Sequence, residues 1–166
     1  MSELSQTAAP GFTGLRVQFT HEQNYDSPIE RVFPLLCPVR EAEYLSRWSC
    51  DIVYLSSGLI EPGGVFTTCF PTDGEGRDVW VVSRYEPRAI IQFVRVNARR
   101  CMIYTITALP GEKGQTRLHW QQVVTGLTPE GNEYVSRLRQ RDFTLMLSDM
   151  ERRLQYFLDT GRMLAE

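Results

Sequence analysis

The sequence predicts an α+β fold: seven strands in one antiparallel sheet, two short helices inserted after the first strand, and a long helix at the C-terminal end. Three observations carry this. Residues 50–127 are a succession of short apolar and alternating segments separated by turn residues. Residues 27–45 carry helical apolar spacing interrupted by a proline, and residues 128–160 hold a helical pattern with its own start and stop signals.

The elements follow in order. GLRVQFTHEQNY (14–25) alternates, with Leu15, Val17 and Phe19 on one face of a half-buried strand. Ser27 is expected to cap a helix that has Pro28 in its first turn and Ile29, Val32, Phe33 and Leu36 at helical spacing. Pro34 lies near enough to the start to be tolerated, whereas Pro38 disfavours helical geometry at Cys37 and ends that helix. A second helix is expected from Pro38 to Leu45. Six strands are expected over 50–57, 64–70, 77–87, 89–97, 101–109 and 116–127, meandering through Pro62-Gly63-Gly64, PTDGEG and PGEKGQ. Thr128-Pro129-Glu130 starts the last helix with a capping hydroxyl, a first-turn proline and an acid, and Gly161 ends it. Its apolar stripe is Phe143, Met146, Leu147, Met150, Leu154 and Phe157. Unbroken, some 30 residues would give a rod roughly 45 Å long, enough to cross the sheet.

A chain of 166 residues suits one domain, here 14–166 behind a flexible lead-in over 1–13. Hydrophobic and charged fractions of 42% and 23% are ordinary for a globular protein, and a net charge of −2 argues against binding nucleic acid or a membrane surface by bulk electrostatics. MSELSQTAAPGFTG has neither the basic start nor the apolar core of a secretory signal, and no stretch approaches the roughly 20 apolar residues of a membrane span. A cytoplasmic location without stable membrane insertion is the expectation. Cys37, Cys50, Cys69 and Cys101 form no CxxC pair, which argues against a zinc or redox centre. With no HExxH or HxH motif, no metal is expected. No nucleophile elbow supports a catalytic triad, and no cofactor is called for.

The element order, together with SPIERVFPLLCPVREAEYL, the EPGGVFTT turn, the WVVSRYEP strand end and GQTRLHWQ before LTPEGN, resembles the START/Bet v 1-like superfamily. These SRPBCC proteins include polyketide cyclases and lipid-transfer domains, and the resemblance covers residues 14–160. It implies a helix-grip fold: a curved seven-stranded sheet around the long helix, with an elongated apolar cavity between them. The two short helices would form a wedge at one end, beside the cavity mouth. The fold itself hosts binders, carriers and enzymes alike.

Parity then proposes the lining. Tyr104, Ile106 and Ala108 share one face, as do Leu118, Trp120, Gln122 and Val124. Two faces stay open on the fourth strand, Trp80-Val82-Arg84 or Val79-Val81-Ser83, and two on the fifth, Ile91-Phe93-Arg95 or Ile90-Val94-Val96. The expected ligand-binding residues are Trp48, Tyr54, Trp80, Phe93, Arg95, Tyr104, Trp120, Gln122, Phe143, Met146 and Met150, with the methionines adapting to ligand shape. Arg95 is placed preferentially on the solvated face; turned inward, it and Gln122 would each need a partner.

Cys37 reads as a buried structural thiol in a bend, and Arg40, Glu41 and Glu43 as a solvated or internally paired helix face, the alternative being that one of them lines the cavity mouth. His21 is assigned to the face away from Leu15, Val17 and Phe19, and His119 to the face away from the cavity. The expected function is binding or carrying a small hydrophobic molecule, such as a lipid, isoprenoid or polyketide-like aromatic, by a monomer or homodimer. The alternatives are a cyclase or aromatase using Tyr54, Tyr104, Arg95 or Glu43, and an interaction module of the Hsp90-activator kind.

Overall fold

The structure is a computed structural model that describes residues 11–70 and 76–166. Most of the 1–13 lead-in and of the PTDGEG loop lies outside those residues.

Among the described residues, β1 (Arg16–Tyr25), β2 (Asp51–Tyr54), β3 (Val65–Thr68), β4 (Asp78–Glu86), β5 (Ile90–Val96), β6 (Arg100–Leu109) and β7 (Thr116–Gly126) form one antiparallel sheet, ordered β1-β7-β6-β5-β4-β3-β2. From β2 to β7 each strand pairs with its successor, as short connections require. β1 closes beside β7.

Alternation resolves both open faces. Asp78, Trp80 and Val82 of β4 turn inward, as do Ile91, Phe93 and Arg95 of β5. The proposed Arg84 does not join them. A bulge between Val82 and Arg84 inserts one residue, so Tyr85 takes the inward place, its ring 6.2 Å from that of Phe33. Such a bulge bends its strand and contributes to the sheet's curvature. The inward assignment of Arg95 overturns the solvated placement. On β1 the outward assignment of His21 also fails. Strict alternation puts Val17, Phe19, His21, Gln23 and Tyr25 on one face, and His21 is half-buried there with its Nε2 lacking a partner among the described residues.

The early helical region is shorter and tighter than expected. α1 (Ile29–Val32) runs into a 3-10 turn, Phe33–Leu36, and α2 (Pro38–Glu41) ends four residues before Leu45. Ser27 does not cap: it is buried, its carbonyl accepts from the Thr116 hydroxyl at 2.7 Å, and the cap position belongs to Pro28. Cys37 is extended between the two segments, buried, and its sulfur accepts from the Ile60 amide at 3.3 Å. The bend in CPVRE is thus Cys37 itself, a buried thiol, and PVRE is α2.

The C-terminal rod is two helices, α3 (Pro129–Arg137) and α4 (Gln140–Thr160). Thr128 caps α3 as expected, accepting from the Gly131 amide at 3.1 Å. Docking fixes the direction of α3: a Cβ on Gly131 would lie 1.9 Å from the Arg99 carbonyl oxygen, so only glycine permits the approach. Leu138 and Arg139 are then extended and re-aim the chain, while the Arg139 guanidinium donates to the Ser136 and Leu138 carbonyls. α4 spans 21 residues, about 32 Å. Its buried stripe is Phe143, Leu147, Met150, Leu154 and Leu158, which moves Met146 and Phe157 to the flanks.

The two sheet margins differ. Along β1, side chains of the C-terminal helices bond the free backbone edge: Asn132 takes the Leu15 amide, Gln140 the Thr20 amide and carbonyl, Glu151 the Asn24 amide, and Gln155 the Asp26 amide. Along β2, Ile52, Val53 and Tyr54 are exposed. No described helix is long and apolar enough to cross a membrane.

Candidate functional site

Between the concave face and α4 lies a cavity of about 630 Å³. The sheet supplies Phe66, Trp80, Phe93, Arg95, Tyr104 and Trp120; α4 supplies Met146, Leu147, Asp149, Met150 and Arg153; the wedge around α2 supplies Pro38, Glu41, Leu45 and Trp48. Arg47, Ser46 and Glu166 form part of the rim, with Glu166 accepting from Ser46 Oγ at 2.9 Å and Arg47 Nε at 3.0 Å.

The aromatic wall is braced from behind. Trp80 stacks on Phe66 at 5.3 Å and on Tyr104 at 5.5 Å, and meets Phe93 edge-on at 5.9 Å. Each indole N–H is engaged within the protein: Trp80 donates to Thr68 Oγ1, Trp120 to Gln23 Oε1 and Trp48 to the Pro38 carbonyl, at 2.7–2.8 Å. Gln23 is itself held by Tyr25 and the Leu147 carbonyl. The Tyr104 hydroxyl accepts from Gln122 Nε2 at 2.7 Å and faces the Met102 sulfur at 3.4 Å. With these demands met, what the void meets is mostly carbon.

Arg95 finds the partner its inward placement requires in Asp78. Its Nε donates to Asp78 Oδ2 at 2.6 Å, its Nη2 joins the same oxygen, and Asn97 holds Oδ1 at 2.7 Å. Arg100, fully buried, reaches the same carboxylate at 3.4 Å. The Arg95 guanidinium lies 4.9 Å over the Trp80 ring and 5.7 Å over Phe70, a cation–π position on both.

The two acids of the wedge part company. Glu43 does pair with Arg40, at 2.8 and 3.2 Å on the exposed side, which holds its carboxyl below the usual range. Glu41 does not belong to that solvated face. It is 8% exposed, lines the cavity, and its carboxyl makes no hydrogen bond or ion pair among the described residues. Burial pushes its carboxyl up to about 8, so the neutral acid prevails at pH 7. On α4, Asp149 bonds Arg152 and Arg153, which lowers its carboxyl. Arg153 Nη1 is buried without a partner among the described residues.

Of the expected binding residues, Trp48, Trp80, Phe93, Arg95, Tyr104, Trp120, Met146 and Met150 meet at the cavity. Tyr54 does not, because β2 is a margin strand and leaves it 60% exposed. Gln122 lies behind the wall as the Tyr104 partner. Phe143 packs on Phe19 instead, ring centroids 6.0 Å apart. Sequence reasoning missed Phe66, Phe70 and Arg153, and it preferred the solvated face for Glu41. For Glu41 a signal existed: Pro38, Glu41 and Leu45 recur at helical spacing, and all three line the void. Among the described residues no group of three or more His, Cys, Asp or Glu residues is placed to hold a metal.

No family model matches the sequence, and no curated protein matches it. Among solved structures, norcoclaurine synthase from Thalictrum flavum in complex with dopamine and hydroxybenzaldehyde is similar with a TM-score of 0.60 at 12% identity, covering 89% of this chain and 89% of that one. Protein MLL2253 from Mesorhizobium loti has a TM-score of 0.61 at 19% identity, over 86% and 97% of the two chains. DynU16, from the dynemicin biosynthetic locus, has 0.59 at 18%, over 87% of this chain and 48% of its own. The fold is the Bet v 1-like helix grip. At these identities the likeness is one of architecture, and it matches the curved seven-stranded sheet, the wedge after β1 and the long α4.

Proposed function

We propose that this protein binds or carries a small, mostly apolar aromatic molecule in the cavity between its sheet and α4. The observation that carries the reading is the wall. Six aromatic rings from the sheet and the wedge (Trp48, Phe66, Trp80, Phe93, Tyr104 and Trp120) border about 630 Å³, and their polar atoms are already engaged within the protein. That volume lies inside the roughly 300–1,000 Å³ range of small-molecule sites, which are mostly apolar with a few orienting polar groups. The flexible thioethers of Met146 and Met150 fit the opposite wall to guests of different outline. Norcoclaurine synthase, on the same fold, is seen with dopamine and hydroxybenzaldehyde, both small aromatics.

Cyclase- or aromatase-like turnover has less beneath it. Tyr54 and Glu43 are exposed away from the cavity, the Tyr104 hydroxyl is taken by Gln122, and Arg95 is taken by Asp78.

Native mass spectrometry of the purified protein tests the reading, with recovery of a stoichiometric low-mass apolar ligand as the expected result. All three tryptophans of the chain border the cavity, so ligand-free protein offers a second readout: saturable quenching of tryptophan emission by 2-acetonaphthone. Recovery of no ligand, together with no saturable binding of the naphthalene probe, would overturn the reading.

A further inference from the structure

Glu41 is a buried acid that the aromatic wall does not explain. It is more than nine-tenths buried, opens onto the cavity, and has no partner among the described residues. Groups packed around it from several elements do not supply one. Tyr25 of β1 donates to Gln23, Tyr44 donates to the Leu35 carbonyl, and Arg40 is paired outward with Glu43. Cys50 faces the Pro38 carbonyl. Across the void, Arg95 is held by Asp78, and Asp149 and Arg153 hold each other. Two features then choose the chemistry that Glu41 awaits. The cation–π position above Trp80 and Phe70 is occupied by Arg95, so an ammonium guest would meet a guanidinium already in place. The second unmatched polar atom in the lining, Arg153 Nη1, is also a donor. A site with donors to spare suits a guest that accepts.

We propose that the cavity selects an aromatic guest carrying a neutral oxygen acceptor, of the aryl ketone, quinone or amide kind, and that Glu41 holds that oxygen by donating its carboxyl O–H. This rests on the binding reading above and names the polar end of its ligand. The donor form of Glu41 persists up to its raised titration point near pH 8, where burial is the cause. Above that the carboxylate repels the acceptor.

Three probes of one shape test the assignment by equilibrium dialysis: 2-acetonaphthone, 2-ethylnaphthalene and 1-(2-naphthyl)ethylammonium. At pH 6.5 the ketone should bind about tenfold tighter than the hydrocarbon, the worth of one net hydrogen bond. That advantage should vanish as pH rises past 8. Glu41→Gln, which keeps a donor and cannot titrate, should retain the advantage at every pH, whereas Glu41→Leu should abolish it. Should Glu41→Leu fail to fold, the flat profile of Glu41→Gln still decides. Equal affinity for ketone and hydrocarbon at pH 6.5, a preference for the ammonium probe, or a ketone preference that does not change with pH in the unmutated protein would each overturn the assignment. Binding of none of the three would overturn the binding reading itself and this inference with it.

Discussion

The concave face of the sheet is filled in one part and hollow in another, although one set of strands builds both. In the filled part, aliphatic residues such as Ile106, Leu118 and Leu154 are completely buried. In the hollow part, Trp80, Phe93, Tyr104 and Trp120 keep 6–7% exposure, all of them bordering the cavity. The difference lies in how the side chains are held. Aliphatic chains reach native packing density by interdigitating and leave no room. The aromatic residues lean on one another and are tied at their polar tips to Thr68, Gln23 and Gln122. A braced ring cannot swing into the gap, so the gap persists.

Four substitutions probe that contrast. Leu154→Ala, in the filled part, should carry the largest effect, a loss of about 2–5 kcal/mol in urea denaturation, because it opens a new void. Affinity for 2-acetonaphthone should hardly change, and a parallel loss of binding would show that the two parts are not independent. Glu41→Gln comes next, and its sign depends on pH. The Glu41 carboxyl titrates near 8 when folded and near 4.3 when unfolded, so the native state keeps a proton that the unfolded state has released. The wild type therefore loses stability as pH rises from about 4.5 to 8. Glu41→Gln should then be the more stable protein by a few kcal/mol at pH 8 and nearly equal at pH 4.5, by urea midpoints across that range.

Phe93→Leu should cost about 1–2 kcal/mol, less than Leu154→Ala. It removes edge contacts to Trp80 and Phe66 and enlarges an existing hollow rather than opening one. Its larger effect should be on the naphthalene probe, about tenfold in affinity. Glu43→Gln should do least. It breaks an exposed pair three residues apart, worth about 0.5 kcal/mol or less, and should leave both probe binding and its pH profile untouched.

Element types and order were legible because period-two alternation and turn residues mark each strand, and because Thr128-Pro129 is a local helix start. The break at Leu138-Arg139 was not, since RLRQR contains no glycine or proline. It follows from the docking of Gly131 on the Arg99 carbonyl and of Gln140 on β1, which are contacts between distant parts of the chain. The aromatic half of the site was readable only in part: parity grouped Tyr104 and Trp120 with the cavity face, left the faces of Trp80 and Phe93 open, and did not find Phe66. The charged half was not readable: whether Arg95 faces in depends on a carboxylate 17 residues away at Asp78, and whether Glu41 is solvated depends on where the sheet and α4 meet the wedge. Glu41 and Glu43 look alike in sequence, and burial separates them.

The hydrogen bonds along β1 carry a consequence beyond this chain's own fold. One sheet border is sealed by Asn132, Gln140, Glu151 and Gln155, while the other, at β2, still offers backbone groups flanked by greasy side chains. Among the described residues, a second molecule joining by strand addition therefore has a single landing strip. Two molecules meeting there use up both strips, so growth of that kind terminates at a pair and does not run on into a fibre.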